Sequence, residues 1–132
     1  MKIILDTHIF LWYINKNRKL SVEVRDAIRD ANNQVYLSVV SVWESIIKYQ
    51  LGKLDFSESP EIYLPRQRER HSITSLSLDE SCLNRLITLP DIHRDPFDRV
   101  LICQALHYDL IIATVDTKIY DYSRDIKDLS LM

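Results

Sequence analysis

The chain predicts an α/β fold whose parallel sheet is covered by helices on both faces. Three observations carry this. Ile3-Ile4-Leu5 and Leu110-Ile111-Ile112-Ala113-Thr114-Val115 are short apolar runs without a polar face, the pattern of strands buried on both sides. Runs of this kind alternate with segments of helical period, as βαβ units do. Each of the two runs ends directly on an acid, Asp6 and Asp116. The carboxyl edge of an open parallel sheet is where such folds keep their binding sites.

The elements follow in order. Lys2 to Leu5 is the first strand, and Thr7 to Ile14 a helix that is apolar almost all round. Asn15 to Lys19 is a polar break. Ser21 to Asn32 reads as a second helix, with Ser21 as N-cap and Val24, Ala27, Ile28 and Ala31 at helical spacing. Val35 to Val39 is the second strand. Ser41 to Leu51 is a helix closed by Gly52. Pro60 opens a helix reaching about His71, Ile73 to Leu76 is a short strand, and Leu78 to Leu86 a helix. After a loop over Leu89 to Arg94, Phe97 to Tyr108 is amphipathic, with Phe97, Val100, Leu101, Ala105 and Tyr108 on one face. Leu110 to Val115 is a strand, Thr117 to Tyr122 a short helix, and Ile126 to Leu131 an edge strand.

Bulk properties narrow the function. A chain of 132 residues, 46% apolar, suits one domain over 1–132 with a proper core. A formal net charge of −2 makes no global electrostatic case for nucleic-acid binding, so such an activity must come from a local surface. Cys82 and Cys103 lack metal or redox spacing and fit reduced thiols in a cytoplasmic protein. No leader pattern and no run long enough to cross a membrane is present in the sequence. Gly52 is the one glycine, which excludes a P-loop and a dinucleotide fingerprint.

The acids carry the chemistry. Glu44 and Asp98 open helices that can reach the edge where Asp6 and Asp116 lie. Each has a structural alternative. Ser41-Val42-Trp43-Glu44 fits a capping box, Asp95-Pro96-Phe97-Asp98 fits an N-cap followed by proline, and Asp6 and Asp116 can cap the helices after them. Together the four are harder to explain as caps. Two carboxylates about 4 Å apart repel by about 4 kcal/mol at an effective dielectric of 20. A cluster of four therefore calls for protons or a hard cation such as Mg²⁺ or Mn²⁺. Asp95 reads as a cap that can support the site from behind. The histidines show no zinc spacing, and Arg66, Arg68 and Arg70 read as a solvated basic face that could also contact nucleic-acid phosphates.

Asp6-Thr7-His8, Ser41-Val42-Trp43-Glu44, His93-Arg94-Asp95-Pro96-Phe97-Asp98-Arg99 and Thr114-Val115-Asp116 together resemble the PIN-domain ribonucleases, and more narrowly the VapC-type toxins of prokaryotic toxin–antitoxin pairs. The resemblance covers essentially the whole chain, and the central run is its most specific part. It implies a three-layer α/β/α sandwich, Mg²⁺- or Mn²⁺-dependent cleavage of RNA, a cognate antitoxin and a homodimer. The acidic quartet falls on Asp6, Glu44, Asp98 and Asp116, with Asp6 and Asp98 as first choice for direct metal ligands. Thr114, Asp95 and Arg99 are candidates for supporting the quartet or touching substrate. His8 stands where many relatives have Asn. For the homodimer, the surface expected is apolar exterior at Phe10 to Tyr13 and Val42 to Leu51.

Two alternatives belong to other classes. A catalytically inactive PIN-like binding module would show no dependence on metal. A haloacid-dehalogenase-like phosphatase needs Asp-x-Asp after the first strand, and His8 stands at the second position.

Overall fold

The computed structural model describes residues 1–132. Its sheet has four strands, β1 (Lys2–Leu5), β2 (Gln34–Ser38), β3 (Thr74–Leu76) and β4 (Ile111–Ala113), in the order β3-β2-β1-β4. Every pairing is parallel. Ile3 lies opposite Val35 on one side and Ile111 on the other. The helices are α1 (Thr7–Ile14), α2 (Val22–Arg29), α3 (Val39–Gln50), α4 (Pro60–Arg70), α5 (Glu80–Leu83), α6 (Pro96–Tyr108) and α7 (Thr117–Asp125).

Side chains alternate across a strand, and β1 divides its apolar residues accordingly. Ile3 and Leu5 join a core with Ile9, Phe10, Val24 and Leu64 from α1, α2 and α4. Ile4 joins a second core with Leu101, Ile102, Ile119 and Tyr122 from α6 and α7. The expected three-layer α/β/α sandwich is thus present, and all three apolar residues of β1 are fully buried.

Several boundaries differ from the expected ones, each for a local reason. α2 stops at Arg29, because the Asp30 carboxylate accepts from the Asn32 N–H and turns the chain. α3 starts at Val39, because β2 runs to Ser38 and the buried Ser38 hydroxyl caps the helix through the Val40 N–H at 3.0 Å. The Ser41–Glu44 capping box therefore does not form. Ser41 is inside the helix, where its carbonyl accepts from the Ser45 hydroxyl, and Glu44 lies more than a turn from the end. Gly52 does follow the helix at φ +74°, a backbone state that suits glycine.

The helix expected over Leu78 to Leu86 is α5 followed by a 3-10 turn, Asn84–Leu86. α7 runs three residues further than expected, to Asp125. The edge strand over Ile126 to Leu131 shrinks to one parallel bridge between Leu131 and Ile112. On α6, the buried face is centred on Asp98, Leu101, Ile102 and Ala105, whereas Phe97 and Tyr108 are half-buried. The apolar exterior expected at Phe10 to Tyr13 is mostly interior, since Phe10 and Leu11 belong to the core beneath α1. On α3, Trp43 is exposed, as is Leu51 just after it. No helix is long and apolar enough to cross a membrane.

Candidate active site

The parallel register delivers β1 and β4 to the same edge, with the Asp6 N–H donating to the Ala113 carbonyl at 3.0 Å. Asp6 ends β1 and caps α1 through the Thr7 N–H. Its second oxygen accepts from the Thr114 hydroxyl at 2.7 Å. Thr114 in turn accepts from the Asp116 N–H at 3.0 Å, so one hydroxyl ties the ends of two strands together. Asp116 caps α7 through the Lys118 N–H.

Glu44 reaches this edge from the second turn of α3. Both its oxygens are engaged: Thr7 Oγ1 donates to one at 2.7 Å and Lys48 Nζ to the other at 2.7 Å. Thr7 and Lys48 are the partners that motif reading misses. The Lys48 contact is legible in principle, being four residues from Glu44 on one helix. The Thr7 contact spans 37 positions and leaves no local signal.

Asp98 comes from the first turn of α6. Asp95 caps that helix, accepting from the Phe97 and Asp98 N–H groups at 3.0 and 3.4 Å. Its capping role is met in full, with Pro96 at the first helical position. Asp98 itself is 6% exposed, as is Asp6, and its Oδ2 atom is buried without a hydrogen-bond partner. Burial, then the charges of Asp95, Asp116, Asp6 and Glu44, push its carboxyl up to about 8. Burial also raises Asp6, against the lowering effect of its bonds to Thr114 and Thr7 and with the charges of Glu44 and Asp116 adding to the rise.

Asp6, Glu44 and Asp98 line one cavity with Thr7 and Ser41, of about 10 Å³. That is room for about one water-sized species. Asp116 stands outside its lining, close enough to raise the pKa of both Asp6 and Asp98. No three acid, imidazole or thiolate side chains are arranged as a finished cage for an ion. The donor set nevertheless fits a small hard cation: all oxygen, three carboxylates around a space of the right size, one oxygen unpartnered.

Arg99 faces the other way. Its guanidinium donates to the Pro90 and His93 carbonyls and to the Tyr122 hydroxyl, which pins the loop before α6 onto α7. His93 pairs with Asp121 at 2.8 Å in the same region. Trp43 lies edge-on to Phe97, ring centroids 5.1 Å apart, and exposes more than half its surface beside Glu44.

The roles of Asp95 and Asp98 separate in one experiment. Asn caps nearly as well as Asp, so Asp95→Asn should keep the fold and any activity of the site. Asp95→Ala should cost about 1 kcal/mol of stability, measured by urea denaturation. Loss of activity in Asp95→Asn at unchanged stability would show that Asp95 acts beyond capping.

A PIN-domain family model matches residues 3–125. The chain belongs to the PIN-domain family. Among curated proteins, ribonuclease VapC16 of Mycobacterium tuberculosis is 37% identical over 59 residues, which cover 45% of this chain and 42% of that protein. The matched stretch thus spans less than half of the relative. Among solved structures, VapBC2 from Rickettsia felis, bound to a DNA fragment from its promoter, superposes with a TM-score of 0.73 at 18% identity. That match covers 100% of this chain and 98% of the other. DNA-bound VapBC from Salmonella typhimurium gives 0.69 at 18% identity, covering 100% and 97%. VapBC-1 from nontypeable Haemophilus influenzae gives 0.68 at 19%, with the same coverage. The PIN fold is shared end to end, and the resemblance of the motifs to VapC-type proteins agrees with the partial match to ribonuclease VapC16.

Proposed function

We propose that this chain is a metal-dependent endoribonuclease, the toxin of a toxin–antitoxin pair, which hydrolyses RNA phosphodiesters at the carboxylate edge. The observation that carries the reading is the buried, unpartnered Asp98 oxygen on a cavity shared with Asp6 and Glu44. An uncompensated buried carboxylate is costly, and a cation removes the cost. Asp6 and Asp98 are the residues we assign to hold Mg²⁺ or Mn²⁺ directly, and Glu44 and Asp116 those that would hold metal-bound waters or a second ion. An ion held there would supply charge to offset the phosphodiester and would lower the pKa of a water for the attack. The chain's own groups prepare the site. Thr114 fixes Asp6 in position, Thr7 and Lys48 hold Glu44, and the Asp95 cap sets the start of α6 and with it Asp98.

The VapBC neighbours support a protein partner for this chain, and we assign it a cognate antitoxin in the cytoplasm. A basic side chain of that partner, placed among the four acids, would replace the cation's charge through charge-assisted bonds. Exposed Trp43 and Leu51 offer apolar area for this contact or for a homodimer.

The test is cleavage of a labelled RNA with added Mg²⁺ or Mn²⁺ and again in excess EDTA. Cleavage should stop on chelation and return with excess metal. Undiminished cleavage in EDTA would sink the metal mechanism, and no cleavage under either condition would favour the inactive binding module.

A further inference from the structure

We propose that the end of the molecule opposite the carboxylates docks the phosphate backbone of single-stranded RNA, and that the exposed face of α1 connects the two ends. This rests on the reading of the acid edge as an RNA-cleaving site, and it names how the substrate is held there.

The opposite end is built from the C-termini of α1, α2 and α4, where the chain enters β2 and β3. A cavity of about 360 Å³ is lined there by Lys16, Arg18, Arg25 and Arg29, with no acid among its lining residues. A second, of about 430 Å³, shares Tyr13 and Arg29 with the first and adds Arg70 and His71, with Asp30 as its one acid. Lys16, Arg18, Arg29 and Arg70 enter no ion pair. Arg25 has one long contact to Asp26 at 3.4 Å, and its Nε is buried without a partner. Burial, and then the charges of Arg70, Arg29 and Lys16, hold the His71 imidazole below its ordinary pKa, as a concentrated positive field would.

A chain of net charge −2 thus gathers uncompensated cations at one end and carboxylates at the other. A phosphate chain is repelled by the acids unless a cation covers them, so its hold must come from elsewhere. The basic cavities supply that hold.

The route between the ends favours RNA over an acidic peptide. α1 begins at the acid edge and rises about 12 Å over its length to the basic cavities. Exposed His8 and half-buried Trp12 stand four residues apart on one face, ring centroids 6.3 Å apart. Lys19 Nζ lies 6.0 Å over the Trp12 ring. Aromatic faces interleaved with cations are what single strands use for stacking and charge.

The test is anisotropy of a labelled single-stranded RNA bound to the full chain carrying Asp98→Asn, across a salt series. Adding Lys16→Gln with Arg29→Gln should weaken binding about tenfold at low salt. The slope of log affinity against log salt should fall by about 1.4, since each single-strand phosphate that the protein no longer neutralises lowers it by about 0.7. Calorimetric Mn²⁺ binding to the chain with Asp98 intact should be the same with and without the pair. Unchanged affinity and slope overturn the proposal. If they are unchanged while the unmodified chain cleaves the RNA, the docking surface alone fails. If the unmodified chain neither binds nor cleaves RNA, the reading of the acid edge fails with it. Binding of poly-glutamate in place of RNA would overturn the proposal in favour of an acidic protein partner.

Discussion

Asp98→Asn is expected to abolish RNA cleavage while making the metal-free protein more stable. The two effects have one cause. Asp98 is 6% exposed, and one of its oxygens has no partner. A carboxylate there is useful only to a cation and harmful to folding without one. Asn has nearly the same shape and no charge, so the first turn of α6 and its Asp95 cap should persist. Losing residues that merely support a metal ligand typically costs about 10–100-fold in affinity or activity; losing a ligand should cost at least the upper figure. Cleavage assays, circular dichroism and thermal melts in EDTA measure both effects. A variant that retains activity, or is less stable than the parent without metal, would refute the role given to Asp98.

Stability of the chelated protein should fall as pH rises from about 5 to about 8. The sign comes from proton counting. The Asp98 carboxyl is raised from 3.8 to about 8 in the folded chain, and Asp6 is raised too. Below both the unfolded and folded values, each state is protonated and the groups add nothing. Between them, the unfolded chain has released a proton that the folded chain keeps, so raising pH favours unfolding. Above the folded value the loss levels off. The slope is at most about 1.4 kcal/mol per pH unit for each carboxyl. Asp98→Asn should flatten most of this dependence, and saturating Mn²⁺ should restore several degrees of melting temperature at pH 8. Melts in EDTA at both pH values decide it, and equal pH dependence in the parent and Asp98→Asn would show that burial of Asp98 carries no such cost.

Much of this site is legible in the sequence. Asp6 and Asp116 stand out because short Ile- and Val-rich runs alternating with helical segments read as buried strands, and the residues that follow such strands lie at the sheet edge. Asp95 and Asp98 separate by local rules alone, since Pro96 fixes where α6 begins. Glu44 is legible too, but in the wrong local setting. A serine caps only where the strand before it ends, and the end of β2 is set by pairing with β1 and β3, which carries it to Ser38 opposite Leu76. Seen alone, Ser41 and Ser38 are equally good caps.

The sequence by itself determined the fold class, the strands that carry acids to one edge, and the cap that starts α6, because these arise from periodicity and from chemistry between near neighbours. Only the tertiary structure decided which acids lose their water. Thr7 holds Glu44, Thr114 holds Asp6, and the packing of α3 against α6 leaves one Asp98 oxygen with no partner. Desolvation is the sum of everything packed around an atom, so no stretch of sequence contains it.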